Sequence, residues 1–311
     1  MVTIDLITGF LGSGKTTFIK DYAKYLLNKG MNIGILENDY GAVNVDMMLL
    51  QELEGENCEL EMIAGGCDKE THKRRFRTKL IAMGMCGYDR VLVEPSGIYD
   101  VDEFFDVLRE EPLDKWYRIG SVITVVNAKL EKSLSDEAEY LLASEVAHAG
   151  KIVLSRSEDA TKEEIAQTIE HLNDALKKIQ CKRTLKDEIM RKDKKELSDK
   201  EFEEILNAGY QSETFEKMDV SEKTLFESLY FMDMKQNAET LKTQAQKILK
   251  DSSCGNVFRI KGFTQKEDGS WLELNATQDE ISVTSILQGQ DVQIVIGENL
   301  NEEKIRKYLE G

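Results

Sequence analysis

Residues 9–16 read Gly-Phe-Leu-Gly-Ser-Gly-Lys-Thr and fit G-x-x-x-x-G-K-[ST], between an apolar β-branched run and a helical pattern. Few features constrain a fold more. Glycines let successive backbone N–H groups turn inward around a phosphate, and the following helix adds its partial positive N-terminus. The pattern assigns Lys15 to the outer phosphates and the Thr16 hydroxyl to a magnesium ion. Gly12, Ser13, Gly14 and Thr17 complete the expected phosphate cradle. The chain around this loop must then alternate strands and helices, with the loop at the carboxyl edge of a parallel sheet.

The first half has that texture. Candidate strands are Thr3–Thr8, Asn32–Glu37, Cys58–Ile63, Arg90–Glu94, Ser121–Val126 and Lys151–Ser155. Helical stretches separate them, the first with Ile19, Tyr22, Ala23 and Leu26 on one stripe and Gly30 at its end. Asp102–Leu108 and Ser135–Ala149 are further expected helices. After residue 161 charges of both signs dominate, and from Asn256 strand patterns return in VFRIKGF, WLELNA, EISVTSIL and VQIVIG before a last helix, NEEKIRKYL. The expected architecture is α/β: a P-loop NTPase parallel sheet with helices on both faces, plus a smaller α+β C-terminal domain. The expected boundaries are 1–185 for the nucleotide domain, 186–230 for a charged helical connector and 231–311 for the C-terminal domain.

Two acidic strand ends accompany the loop. Asp39, in Ile35-Leu36-Glu37-Asn38-Asp39, either holds a magnesium-bound water, or orients the attacking water, or simply caps a turn. Glu94 ends the apolar strand of Arg90-Val91-Leu92-Val93-Glu94-Pro95-Ser96-Gly97, the Walker B arrangement, where a carboxylate reaches the magnesium shell. Pro95 stops the strand, and Gly97 is placed to bring a backbone N–H to the terminal phosphate. Lys15, Asp39 and Glu94 are the expected catalytic set, with Thr16, Asp39 and Glu94 as magnesium ligands.

Composition narrows the partners. A formal charge of −17 opposes non-specific contact with nucleic acid or anionic lipid, so neither is an expected partner. No apolar run approaches membrane-spanning length. MVTIDLITGF has no cationic segment, and the five cysteines show no metal-ligand spacing or disulfide framework, so a cytoplasmic setting is expected. His148 is read as a packing residue and His171 as exposed.

Taken together, these segments resemble the CobW-like P-loop GTPases, relatives of the GTPases that mature urease and nickel hydrogenase. ITGFLGSGKTTFI is close to that family's opening, ENDYGAVNVD resembles its N-E-F-G-E segment with Asp39 in the acidic slot, and LVEPSG stands where the family has E-T-S-G. SVITVVNA resembles the next strand, with Asn127 where aspartate is common. SEVAHAGKIVLSRSE resembles Q-x-x-x-A-D followed by the base-recognition strand, and VFRIKGF and VQIVIG are similar to the C-terminal domain.

The resemblance implies a magnesium-dependent protein that binds and hydrolyses GTP and acts as a metallochaperone-like maturation factor for a client metalloprotein or cofactor-dependent enzyme, with a nucleotide-dependent homodimer. Turnover without a partner is expected to be slow, since no arginine finger is identifiable. Two other readings stay open: a docking or remodelling switch that carries no metal, and an ATP-using kinase or ligase on the same core.

The chain departs from the family at two places. Where the family has G-C-x-C-C, this chain has Gly66-Cys67-Asp68-Lys69-Glu70, so a three-thiolate site for Zn²⁺ or another soft ion cannot form. Cys67 is then a small residue in a tight turn, or one ligand of a mixed Zn²⁺ or Co²⁺ site with Glu70 and Cys58 or His72, or part of a moving loop that carries protein contact. The cations after it, Lys73, Arg74, Arg75, Arg77 and Lys79, either balance an acidic surface or form a docking patch. Where such GTPases read guanine with N-K-x-D, this chain has Ser155-Arg156-Ser157-Glu158. Glu158 can accept from the base as aspartate does, Arg156 can lie over the purine, and Ser155 loses the amide that braces the loop.

Overall fold

The computed structural model describes residues 1–10, 12–39, 45–64, 69–95, 101–130, 134–191, 197–216, 227–278, 280–286 and 289–310, with the backbone alone at 38, 39, 45, 46, 64, 69 and 227. The chain divides into two compact units, Met1–Asp219 and Val220–Gly311.

The first unit is built on a seven-stranded sheet: β1 (Val2–Thr8), β2 (Ile33–Asp39), β3 (Cys58–Ala64), β4 (Arg90–Pro95), β5 (Tyr117–Asn127), β6 (Lys151–Ser155) and β7 (Ile189–Arg191). Its spatial order is β3-β2-β4-β1-β5-β6-β7, and every pairing is parallel. Because helices cover both faces, the central strands are apolar on both sides and read as continuous runs rather than alternating ones. The period of two still sorts side chains between layers. Ile4, Leu6, Leu36, Val91, Val93 and Val122 join one core with α3 (Lys69–Met83), α4 (Val101–Leu108) and α5 (Leu113–Trp116). Ile7, Ile33, Ile35, Leu92, Ile123 and Val125 join the other. That second layer holds α1 (Lys15–Asn28), α2 (Val45–Leu50) and α8 (Asp199–Leu206), while α6 (Asp136–His148) and α7 (Lys162–Lys178) pack on each other.

The expected connector over 186–230 does not stand apart. Ile189–Arg191 is the seventh strand of the main sheet, and α8 lies on α1. Phe202 stacks on Tyr22 and Tyr25 at ring distances of 6.0 and 5.1 Å, and Ile205 is fully buried. A capping box, Ser198 with Glu201, starts this helix. Its surface charges had masked two apolar residues spaced three apart, enough to seat a short helix. Residues 207–216 also stay with the first unit, where Gln211 and Glu216 donate their backbone N–H groups to the His148 and Ile179 carbonyls. Only the end of the segment belongs to the second unit, in which β8 (Glu227–Met232) is an edge strand.

The second unit is a five-stranded antiparallel sheet ordered β11-β10-β9-β12-β8, comprising β9 (Asn256–Gln265), β10 (Trp271–Ala276), β11 (Ile281–Ile286) and β12 (Val292–Glu298) with β8. α9 (Ala238–Lys250) and α10 (Glu302–Glu310) complete it, and Leu241, Ala245, Ile248, Ile305 and Leu309 pack with Ile260, Leu274 and Val295 in its core. Among the described residues no helix is long and apolar enough to cross a membrane.

Candidate functional site

β1 runs between β4 and β5, and its carboxyl end opens into the glycine-rich loop. Gly9 (φ 142°), Gly12 (φ 79°) and Gly14 (φ 99°) all have positive φ. At Gly9 the requirement is also one of space: a Cβ would stand 2.1 Å from the Val125 carbonyl oxygen of β5. The Ser13 N–H closes a turn onto the Phe10 carbonyl at 3.1 Å, and Gly14 caps α1 with no side chain bonded to the helix's first amides. Those amides are therefore directed at whatever the loop encloses. Lys15 is buried and its Nζ donates to the Gly9 carbonyl at 2.8 Å, holding the ammonium inside the loop. Thr17 is exposed on the first turn.

Thr16 and Glu94 lie 78 residues apart, yet the Thr16 hydroxyl donates to Glu94 Oε1 at 3.2 Å. The sheet makes this contact. β4 pairs with β1 (Leu6 opposite Val93) and with β2 (Glu37 opposite Glu94). Asp39 ends β2, one residue past the Asn38–Pro95 pair, so its backbone reaches the same edge. Both atoms of the Thr16–Glu94 contact are hard oxygen donors, the kind magnesium takes, and Glu94 is only 5% exposed. The residues present thus fit a magnesium ion. Gly97 and Cys67 lie outside the described residues.

The base loop joins the phosphate loop directly. Ser155, at the end of β6, donates from its hydroxyl to the Ser13 carbonyl at 2.6 Å and approaches the Val126 carbonyl at 3.3 Å. The brace expected to be lost with the amide is made by this shorter side chain instead. Arg156 follows in the left-handed region (φ 56°), a conformation costing a non-glycine residue roughly 1–2 kcal/mol. Ser157 donates to the Leu154 carbonyl at 2.7 Å and fixes the turn, and Glu158 is exposed beyond it.

Two residues at this edge escaped sequence reasoning. Glu37 is buried opposite Glu94. Glu145, on α6, is fully buried beneath the loop; it accepts from the Thr8 hydroxyl at 3.0 Å and from the Gly9 backbone N–H. Burial pushes its carboxyl up to about 7, against the opposing pull of Lys15. The signal was present: one acid inside LLASEVAHA, a stretch otherwise small or apolar.

Other candidates are placed differently. Cys58 is the first residue of β3. Its thiol is buried and pushed up to about 11, unlike a metal-binding thiolate. His72, on the first turns of α3, is fully buried and held down to about 4, by burial and then by Arg75. Glu70 is exposed, and among the described residues no cluster of three or more His, Cys, Asp or Glu is arranged to hold a metal.

Part of the α3 charge is consumed internally. Arg77 and Lys73 meet Glu110 at 2.9 and 3.7 Å, and Lys79 meets Glu61 at 2.7 Å. His148 is buried as expected, against Phe105, with Nε2 3.2 Å from Asp102 and Nδ1 3.1 Å from the Gln211 carbonyl. His171 is not exposed: it is mostly buried and pairs with Glu139 at 2.7 Å, because α7 packs against α6.

Curated relatives include the zinc chaperone YjiA of Escherichia coli, 26% identical over 58% of this chain and 55% of that protein. The zinc chaperone YeiR of the same organism is 31% identical over 52% of this chain and 49% of its own length. A zinc-regulated GTPase metalloprotein activator of Schizosaccharomyces pombe is 24% identical over 55% and 44%. The chain thus spans about half the length of the curated relatives it matches. Residues 3–186, more than half of the sequence and the whole of the phosphate and base loops, match the model of the CobW/HypB/UreG nucleotide-binding domain. The chain belongs to the CobW/HypB/UreG family.

Proposed function

We propose that this protein binds and hydrolyses GTP with magnesium and uses the cycle, in the manner of a metallochaperone, to mature or activate a client metalloprotein or cofactor-dependent enzyme. The observation that carries the reading is the 3.2 Å contact between Thr16 and Glu94 beside the buried Lys15. It joins the phosphate loop to the Walker B strand at the place a triphosphate's metal requires.

In this reading the amides of residues 12–16 and the Lys15 ammonium surround the β- and γ-phosphates, where negative charge grows during phosphoryl transfer. Thr16, Glu94 and Asp39 hold magnesium, which when bound neutralises phosphate charge. Asp39 or Glu94 orients the attacking water, and Gly97 reports on the terminal phosphate. Arg156 lies along the purine while Glu158 accepts from its edge; the turn fixed by Ser155 and Ser157 supports that placement. Hydrolysis is slow until a partner or second protomer supplies further charge. The names of the relatives support zinc as cargo, with Cys67 its remaining thiol.

The decisive test is GTP hydrolysis by the full chain with and without magnesium, beside Lys15→Ala, which should lower kcat by about a hundredfold or more. No magnesium-dependent affinity for any purine triphosphate ends the reading. Preference for ATP over GTP moves it to an ATP-using enzyme on the same core.

A second reading, a nucleotide-dependent docking switch that carries no metal, is favoured by one observation: the Cys58 thiol is buried and pushed up to about 11, unlike a metal-binding thiolate. Zinc or cobalt titration decides. Equal binding by wild type and Cys67→Ser selects the switch; loss of a stoichiometric site selects the carrier.

A further inference from the structure

Glu145 has no part in the chemistry just described, yet it is the acid set most deeply behind the phosphate loop. It is fully buried on α6, and Thr124 of β5 anchors its backbone by donating to the Glu145 carbonyl at 2.9 Å. Its Oε1 accepts from Thr8, the last residue of β1, and the carboxylate also accepts from the N–H of Gly9, the first residue of the loop. Oε2 is buried with no hydrogen-bond partner among the described residues. One side chain therefore grips the hinge where strand becomes loop.

We propose that Glu145 is a positioning residue for the phosphate loop and takes up a proton from solvent, on Oε2, when a triphosphate occupies that loop. The inference rests on the nucleotide reading above.

The charge balance around the carboxylate supports it. The main elements packed against α6 are β5, α4 and α7. The loop after α7 adds Arg183, whose guanidinium donates to the Val146 and Ala147 carbonyls at 2.8 Å and pairs with Glu188 at 3.1 Å. β5 presents the neutral Thr124. On α4, Asp102 faces His148, and from α7 His171 and Lys178 face Glu139, all directed at other groups of α6. The cation acting on Glu145 is Lys15, whose Nζ is held at the Gly9 carbonyl. A triphosphate draws Lys15 toward itself and brings several negative charges to the other side of the loop. Both changes disfavour the carboxylate, and with its carboxyl already raised to about 7 by burial, little further bias neutralises it at physiological pH. Oε1 is occupied by the Thr8 donor, so Oε2 receives the proton. Thr8 and Gly9 keep their acceptor, and the loop keeps its position without a buried negative charge behind the phosphates.

Isothermal titration of the full chain with a non-hydrolysable GTP analogue and magnesium, at pH 7.5–8 in buffers of different ionisation enthalpy, tests this. Wild type should take up a substantial fraction of one proton per analogue bound, and its affinity should fall with rising pH, by at most about tenfold per unit. Glu145→Gln, which keeps the acceptor for Thr8 and Gly9, should bind with buffer-independent heat and a flat pH profile. Thr8→Val removes a donor to the carboxylate and should move the wild-type pH dependence to higher pH. Tight analogue binding by wild type with no proton uptake, or the same uptake in Glu145→Gln, overturns the inference alone. No binding by wild type overturns the nucleotide reading, and this inference with it.

Discussion

The phosphate end and the base end of the site are built in contrasting ways. At the phosphate end the backbone does the shaping: Gly9 cannot carry a side chain because β5 is too close, Gly14 leaves the first amides of α1 free of side-chain caps, and Lys15 folds back on the loop. At the base end side chains do it: Ser155 ties the turn to Ser13, Ser157 closes it, and Arg156 sits in a conformation unusual for its type. A site shaped by backbone tolerates few substitutions, and each deviation leaves a mark in the sequence. One shaped by side chains can be rebuilt from different residues, so its motif drifts while its geometry persists.

That contrast can be broken by experiment. The largest effect is expected at Gly9→Ala, where the methyl must displace the β5 backbone; several kcal/mol of stability, or nucleotide binding altogether, should be lost, as thermal melting with and without nucleotide will show. Next is the pH dependence of the empty protein. Glu145 has a folded value near 7 against 4.5 for the free group, so the folded state holds the proton more tightly. The sign follows: its contribution to stability is present below pH 4.5 and is lost as pH rises through 7, amounting to about 3 kcal/mol. Urea unfolding from pH 5 to 8 should therefore destabilise wild type relative to Glu145→Gln, and parallel curves would count against a charged Glu145. Thr16→Ala comes third: magnesium-dependent nucleotide affinity should fall about 10- to 100-fold, measured by titration with and without the ion. Ser155→Ala should be the mildest, about 1 kcal/mol or fivefold in affinity, with Ser155→Asn restoring it. A base-end variant more damaging than Gly9→Ala would reverse the comparison.

The same contrast explains what could be read in advance. The parallel sheet, the loop and the Walker B strand were legible because strand burial and phosphate wrapping impose composition directly: apolar runs, glycines at fixed spacing, an acid at a strand end. Thr16 and Glu94 were expected at one magnesium ion because each carries a local signature, the loop motif and an acid ending an apolar strand, and their contact follows. Glu145 was not legible, since nothing local distinguishes a buried acid from a surface one on a mixed helix. His171 was misread for the converse reason: its helix is charged overall, but α6 covers one side of it. Ser155 looked deficient beside an amide because side-chain reach depends on how closely two loops approach, which composition does not record. The segment after residue 186 was judged by its many charges, whereas Phe202 and Ile205 decide where it lies.

The stacking of Phe202 on α1 bears on how this protein can be divided. The family match ends at residue 186, before α8 begins. A fragment cut there would strip the cover from Tyr22 and Tyr25 and leave an aromatic stripe on the very helix that carries Lys15. Such a truncation should precipitate or lose its ligand even though every motif residue remains, while one continued through residue 216 should stay soluble and competent. The smallest working piece of this molecule is therefore set by what shields the back of a helix, not by where recognisable motifs stop.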